Sequence, residues 1–76
     1  MIKAYIRINS LKDVQTLYVN ARKCNYDLIL QSGSTQLNPK STMGIFSLGT
    51  KITASLIAKS DNKQDFIDKF GELFAE

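Results

Sequence analysis

Asn38-Pro39-Lys40-Ser41-Thr42-Met43-Gly44-Ile45-Phe46-Ser47-Leu48-Gly49 is the stretch on which the reading of the fold turns. Pro39 cannot donate to a β-ladder, so it ends whatever strand precedes it. Ser41 is a good helix N-cap and Gly49 a good stop, and a helix of two turns fits between them. Gly44 inside that helix costs about 1 kcal/mol relative to Ala, which close packing against a neighbour would explain.

Working outward towards the N-terminus, Thr35 to Asn38 reads as a short return strand, joined through Ser32-Gly33-Ser34 to a strand over Tyr26 to Ser32, with Leu28 and Leu30 inward and Ile29 outward. Leu11, Val14, Leu17, Tyr18, Ala21 and Cys24 recur at helical spacing. Ser10 with Asp13 three residues on is close to a capping box, so the spacing predicts a helix from Ser10 to about Lys23. Ile2, Ala4, Ile6 and Ile8 alternate with Lys3, Tyr5, Arg7 and Asn9, which is the period of a half-buried strand. Towards the C-terminus, Lys51 to Lys59 alternates again, with Ile52, Ala54, Leu56 and Ala58 inward. Phe66, Ile67, Phe70, Leu73 and Phe74 then mark an amphipathic helix reaching nearly to the chain end. The order is β-α-β-β-α-β-α. Four half-buried strands and three helices imply an α+β layered fold, an antiparallel sheet with helices on one face and solvent on the other. The expected core is Ile2, Ile6, Ile8, Leu17, Leu28, Leu30, Ile45, Ile52, Leu56, Phe66, Phe70 and Leu73.

With 76 residues, 43% of them hydrophobic, residues 1–76 form one small domain rather than two. The single Cys, Cys24, excludes an internal disulfide and fits a buried small hydrophobe better than a reactive thiol. With no His in the chain, His-ligated metal sites, His general bases and His phosphocarriers are excluded. No metal spacing, paired-carboxylate site or Gly-rich phosphate loop is present, so neither cofactor nor enzymatic activity is expected. No apolar run approaches a membrane span, and the charged start Met1 to Arg7 does not resemble a signal peptide; a cytoplasmic protein without a membrane partner is expected. The net charge is +3, but the basic residues are spread along the chain and alternate with acids in the last helix, so no nucleic-acid partner is expected.

The 38–49 stretch resembles the regulatory segment of HPr, the small phosphocarrier protein of the bacterial sugar phosphotransferase system. That family shows a run close to N-L-K-S-I-M-G-V-M-S-L-G, and eight of its twelve positions are identical here. The order of elements matches along nearly the whole chain. The resemblance implies an open-faced β-sandwich, with three helices over one face of a sheet whose strands run first, fourth, second, third. It also implies two departures. The family's carrier histidine lies in a run like G-I-H-A-R-P-A before the first helix; here Ser10 takes the place of the histidine, Lys12 that of the arginine and Asp13 that of the proline. The connection before the fourth strand is about four residues shorter.

Ser10 cannot do a histidine's work. A reversible phosphocarrier needs a nucleophile that is neutral near pH 7 and leaves easily, whereas a serine phosphate is too inert to pass the group on. The expected role of Ser10 is capping. The serine matching Ser41 is phosphorylated by a dedicated kinase in the family, and a phosphate at a helix N-cap meets free N–H groups and a favourable dipole. Lys40 would pair with it, and Met43, Phe46 and Leu48 would form an apolar partner surface beside it. Thr42 is more polar than the usual isoleucine. These features resemble the catabolite-repression HPr homologue, which also lacks the carrier histidine. They imply a regulatory or adaptor protein, monomeric or weakly dimeric. Its partner would be an HPr kinase-like enzyme, a transcriptional regulator or a phosphotransferase-system component. The alternative is a diverged binding domain unrelated to sugar uptake that uses the open face, where Tyr5, Ile29 and Ile57 would cluster.

Overall fold

The computed structural model describes residues 1–41 and 51–75. The strands are β1 (Ile2–Ile8), β2 (Leu28–Ser32), β3 (Thr35–Leu37) and β4 (Ile52–Ala58). The helices are α1 (Leu11–Lys23) and α2 (Lys63–Phe70), the latter continued by a 3₁₀ turn over Gly71–Leu73. The four strands form one antiparallel sheet in the order β1-β4-β2-β3. Among the described residues two α-helices are present. The expected middle helix, together with Ile45, Met43, Phe46 and Leu48, lies outside the described residues. No helix among the described residues is long and apolar enough to cross a membrane.

The alternating strands bury one face. Ile6 and Ile8 from β1, Leu28 and Leu30 from β2, and Ala54, Leu56 and Ala58 from β4 meet Val14, Leu17 and Ala21 of α1 and Phe66 and Phe70 of α2. Nine of the twelve expected core residues are buried there, while Ile2 and Ile52 pack at its margin. Two apolar positions read as inward do not bury. Leu11, the first residue of α1, is 60% exposed, and Ile67, one step round the helix from the Phe66–Phe70 stripe, is 48% exposed. Phe66 packs tilted against Phe70, centroids 5.3 Å apart, and stacks on Phe74 at 5.9 Å.

Three boundaries differ from expectation for identifiable reasons. β2 begins at Leu28 rather than Tyr26, because the Tyr26 carbonyl and phenol are both taken by groups outside the sheet. The last helix stops at Phe70, and the chain then turns so that the Ala75 N–H donates to the Tyr5 carbonyl at 2.9 Å and Phe74 bridges Ile6. This tail pairs with the outer edge of β1 at one point, which shields an otherwise open edge. The β2–β3 hairpin closes through Gly33-Ser34; Gly33 has φ 61° and Ser34 does not have positive φ, the signature of a type II′ turn.

Replacing Gly33 with alanine isolates that backbone requirement, since an added Cβ would meet nothing within 4 Å. Gly33→Ala is expected to lower stability by about 1–2 kcal/mol, read from the urea midpoint. Gly71 is helical (φ −57°), and a Cβ there would lie 3.5 Å from Ile67 Cγ2 in ordinary contact. Gly71→Ala is therefore expected to raise stability by about 0.4–1 kcal/mol. Phe66→Ala, which empties the centre of the aromatic cluster, is expected to cost about 3–5 kcal/mol.

Candidate functional site

Two places carry the residues that the sequence singled out, and a third was not foreseen. The first is the N-terminus of α1. Ser10 is its N-cap by position, in extended backbone, and its carbonyl accepts from the N–H groups of Asp13 (3.1 Å) and Val14 (3.3 Å). Its hydroxyl makes no capping bond. The Asp13 carboxylate reaches past the cap residue and accepts the Asn9 N–H at 2.8 Å. Neither bond of the expected box forms, and the negative charge that suits the positive end of the helix dipole is a protein carboxylate. Asp13 lines a shallow groove of about 230 Å³ with Arg7, Asn9, Glu72, Leu73 and Phe74. Lys12 is exposed beside it.

The second place is the turn that delivers Ser41. Asn38 organises it, its carbonyl accepting the Ser41 N–H and its side-chain Oδ1 accepting the Lys40 N–H, both at 2.9 Å. Pro39 is fully buried, which fixes the turn to the body of the protein. Ser41 is exposed. Lys40 takes a part that the sequence did not suggest. Its ammonium donates to the carbonyls of Tyr26 (3.0 Å) and Cys24 (3.3 Å), pinning the α1–β2 connection to this turn.

The third place joins α1, the α1–β2 connection and α2. The Tyr26 phenol donates to Asp65 Oδ2 at 3.0 Å, Lys69 forms an ion pair with Asp65 Oδ1, and Asn20 Nδ2 donates to the Lys69 carbonyl at 2.6 Å. Asp65 also donates its backbone N–H to Asn62, the N-cap of α2. Lys69, then Tyr26, hold the Asp65 carboxyl below the usual carboxylate range. Asp65 in turn pushes Lys69 up. Burial, with hydrogen bonds to its neighbours, pushes the Tyr26 phenol well above its ordinary value. The Asp65/Lys69 spacing of four was the only sequence signal for this cluster; nothing local pointed to Tyr26 or Asn20. Cys24 is buried at the end of α1, with its thiol donating to the Asn20 carbonyl at 3.4 Å, as a structural residue would be. Among the described residues no cluster of acids and thiols could hold a metal.

No protein-family model and no curated protein matches the chain. Solved structures do. HPr-C-His of Thermoanaerobacter tengcongensis superposes with a TM-score of 0.78 at 23% identity, covering 97% of this chain and 91% of that one. The phosphocarrier protein HPr of Bacillus anthracis gives 0.73 at 18% identity over 95% of each chain. The histidine-containing phosphocarrier protein of a Mycoplasma gives 0.67 at 19% identity, covering 99% of this chain and 100% of that one. Together with the strand order, these matches show that the chain has the HPr fold.

The Tyr26–Asp65–Lys69 cluster sets the pH response. Asp65 is lowered in the fold, so its contribution is present above the unfolded carboxylate pKa near about 3.9 and is lost as pH falls through the folded value. Tyr26 and Lys69 are raised, so their contributions are present below about pH 10 and are lost as pH rises through the folded values. Melting temperature is expected to fall on both sides of that plateau, with Asp65→Asn flattening the acid limb and Tyr26→Phe the alkaline one.

Proposed function

We propose that the chain is an HPr-like protein of the phosphoenolpyruvate-dependent sugar phosphotransferase family that does not carry phosphohistidine. It acts in the cytoplasm as a non-enzymatic regulatory or adaptor module. The observation that carries this reading is an HPr fold built from a sequence without a single histidine, with Ser10 in the carrier's place. The site's electrostatics support it. Asp13 places in the first turn of α1 a carboxylate that would repel a phosphoryl group at residue 10, and Glu72 adds a second acid to the same groove.

What remains of the family's equipment is the segment around Ser41. Ser41 leaves an anchored turn exposed, where a kinase has access to it. A phosphate there adds about two negative charges to the segment whose Met43, Phe46 and Leu48 are, in this reading, the apolar partner surface. Lys40 helps by holding the turn in place, two carbonyls taking its ammonium. The partner is a transcriptional regulator or a phosphotransferase-system component, and the protein works as a monomer or weak dimer.

A second reading uses the open face of the sheet for protein binding, unrelated to sugar uptake. It is favoured by the direct pairing of Ile29 with Ile57, with Tyr5 on the diagonal.

Phosphoenolpyruvate with the first enzyme of the phosphotransferase system is expected to leave the protein unlabelled. An HPr kinase with ATP is expected to add one phosphate, abolished by Ser41→Ala and retained by Ser10→Ala. Label at Ser10 would end the non-carrier reading. A protein that the kinase ignores, and whose partners are indifferent to Ser41→Asp, would leave the open-face reading in its place.

A further inference from the structure

We propose that the uncovered face of the sheet binds single-stranded nucleic acid, with Tyr5 as the stacking platform. This inference is independent of the phosphotransferase reading, and it reverses the expectation that charge spread along the sequence is spread over the surface.

The register aligns the outward residues in rows. Tyr5 lies opposite Ser55, Ser55 opposite Gln31 and Gln31 opposite Gln36, so one row crosses all four strands. Beside it Lys3, Ile57 and Ile29 form a second row, and Arg7 with Thr53 begins a third. The first row combines a ring that is 61% exposed with one hydroxyl and two carboxamides, which donate and accept without charge. The Lys3 ammonium sits over the Tyr5 ring, 5.9 Å from its centroid, a cation–π contact that a stacking base would displace, freeing the ammonium for a phosphate.

Charge is partitioned just as unevenly. Among the described residues none of the four strands contains an Asp or Glu. Lys3 and Arg7 lie on the face and Lys51 and Lys59 flank β4, against one flanking acid, Asp27. The other cations and acids, on the helices, connections and chain end, balance six to six, so the sheet holds the whole net charge of +3. Among the described residues none of the four sheet cations forms an ion pair. Arg7 shares its end of the sheet with Asp13 and Glu72, beyond salt-bridge distance.

A polyanion is therefore the complementary partner, and the row chemistry selects which one. An acidic peptide would use the cations and leave the Tyr5 ring and the amide row idle. A duplex hides its base faces. Splayed bases use all three features: a ring to stack on, amides for base edges, and lysines for phosphates. Open four-stranded sheets with several face aromatics stack two or three bases, and Tyr5 supplies a platform for one.

The test uses a fluorescein-labelled oligouridylate about eight nucleotides long at about 50 mM salt, read by polarisation. Binding is expected to weaken at least tenfold in Tyr5→Ala. Lys3→Gln is expected to reduce the slope of log affinity against log salt by about 0.7. Lys63→Gln on α2 should change neither. These sites are exposed, and circular dichroism checks that each variant keeps its fold. Absence of binding, binding indifferent to Tyr5→Ala, equal affinity for a duplex of the same length, or equal competition by an oligoglutamate peptide would each overturn the proposal.

Discussion

The structure depends on β4. It pairs with β1 on one side and β2 on the other, joining the N-terminal strand to the hairpin, and most of its inward residues complement in size those they face on β1. Ile2 faces Ala58, Ala4 faces Leu56 and Ile6 faces Ala54, so three of the four cross-strand pairs on the buried face of β1 and β4 set a large residue against a small one; the fourth, at the end of the strands, sets Ile8 beside Ile52. Over the first three pairs the alternation keeps the floor of the core even. On it α1 and α2 lie close enough for Asn20 to reach the Lys69 carbonyl. Loss of this complementarity would move both helices, and with them both sites at their ends.

The same sheet separates the protein's two kinds of chemistry. One face is spent on cohesion, and the polar devices beside it (the Tyr26–Asp65–Lys69 cluster and the Lys40 clamp) tie connections to helices. The other face holds no buried polar network and carries the excess positive charge. At the N-terminus of α1 a carboxylate already supplies the anion that a helix start favours. The electrostatic preference at that point is satisfied from within the chain.

The elements with a single dominant period were legible from the chain alone. Ile2–Ile8 and Ile52–Ala58 show unbroken alternation, and each strand falls within a residue of its expected bounds. The strand order followed from the resemblance, because alternation fixes which face a residue takes and not which strand is its neighbour. What failed were ends and polar roles. Tyr26 looks like a strand residue, yet a long-range bond to Asp65 removes it from the ladder. Ser10 and Asp13 have the spacing of a reciprocal cap, but the acid takes the Asn9 N–H instead. Lys40 stands next to Ser41 in sequence and points its charge at another segment. For Tyr26 and Lys40 the deciding partner is remote in the chain, which local pattern cannot see. Periodicity likewise marked Lys3, Tyr5 and Arg7 as outward without showing that they share one surface with Gln31 and Gln36.

The disparity between the two kinds of strand pairing has a kinetic meaning. The β2–β3 hairpin closes through two residues and can form within about 1–10 μs, before any helix is docked. β1 must instead find β4 across most of the chain, Ile2 reaching Ala58. Loop entropy opposes that step until the Ile–Ala and Ala–Leu pairs interlock. The first strand in sequence is therefore expected to be the last to join the sheet, and the Phe74–Ala75 bridge on its far side acts as a latch fastened only once it has arrived.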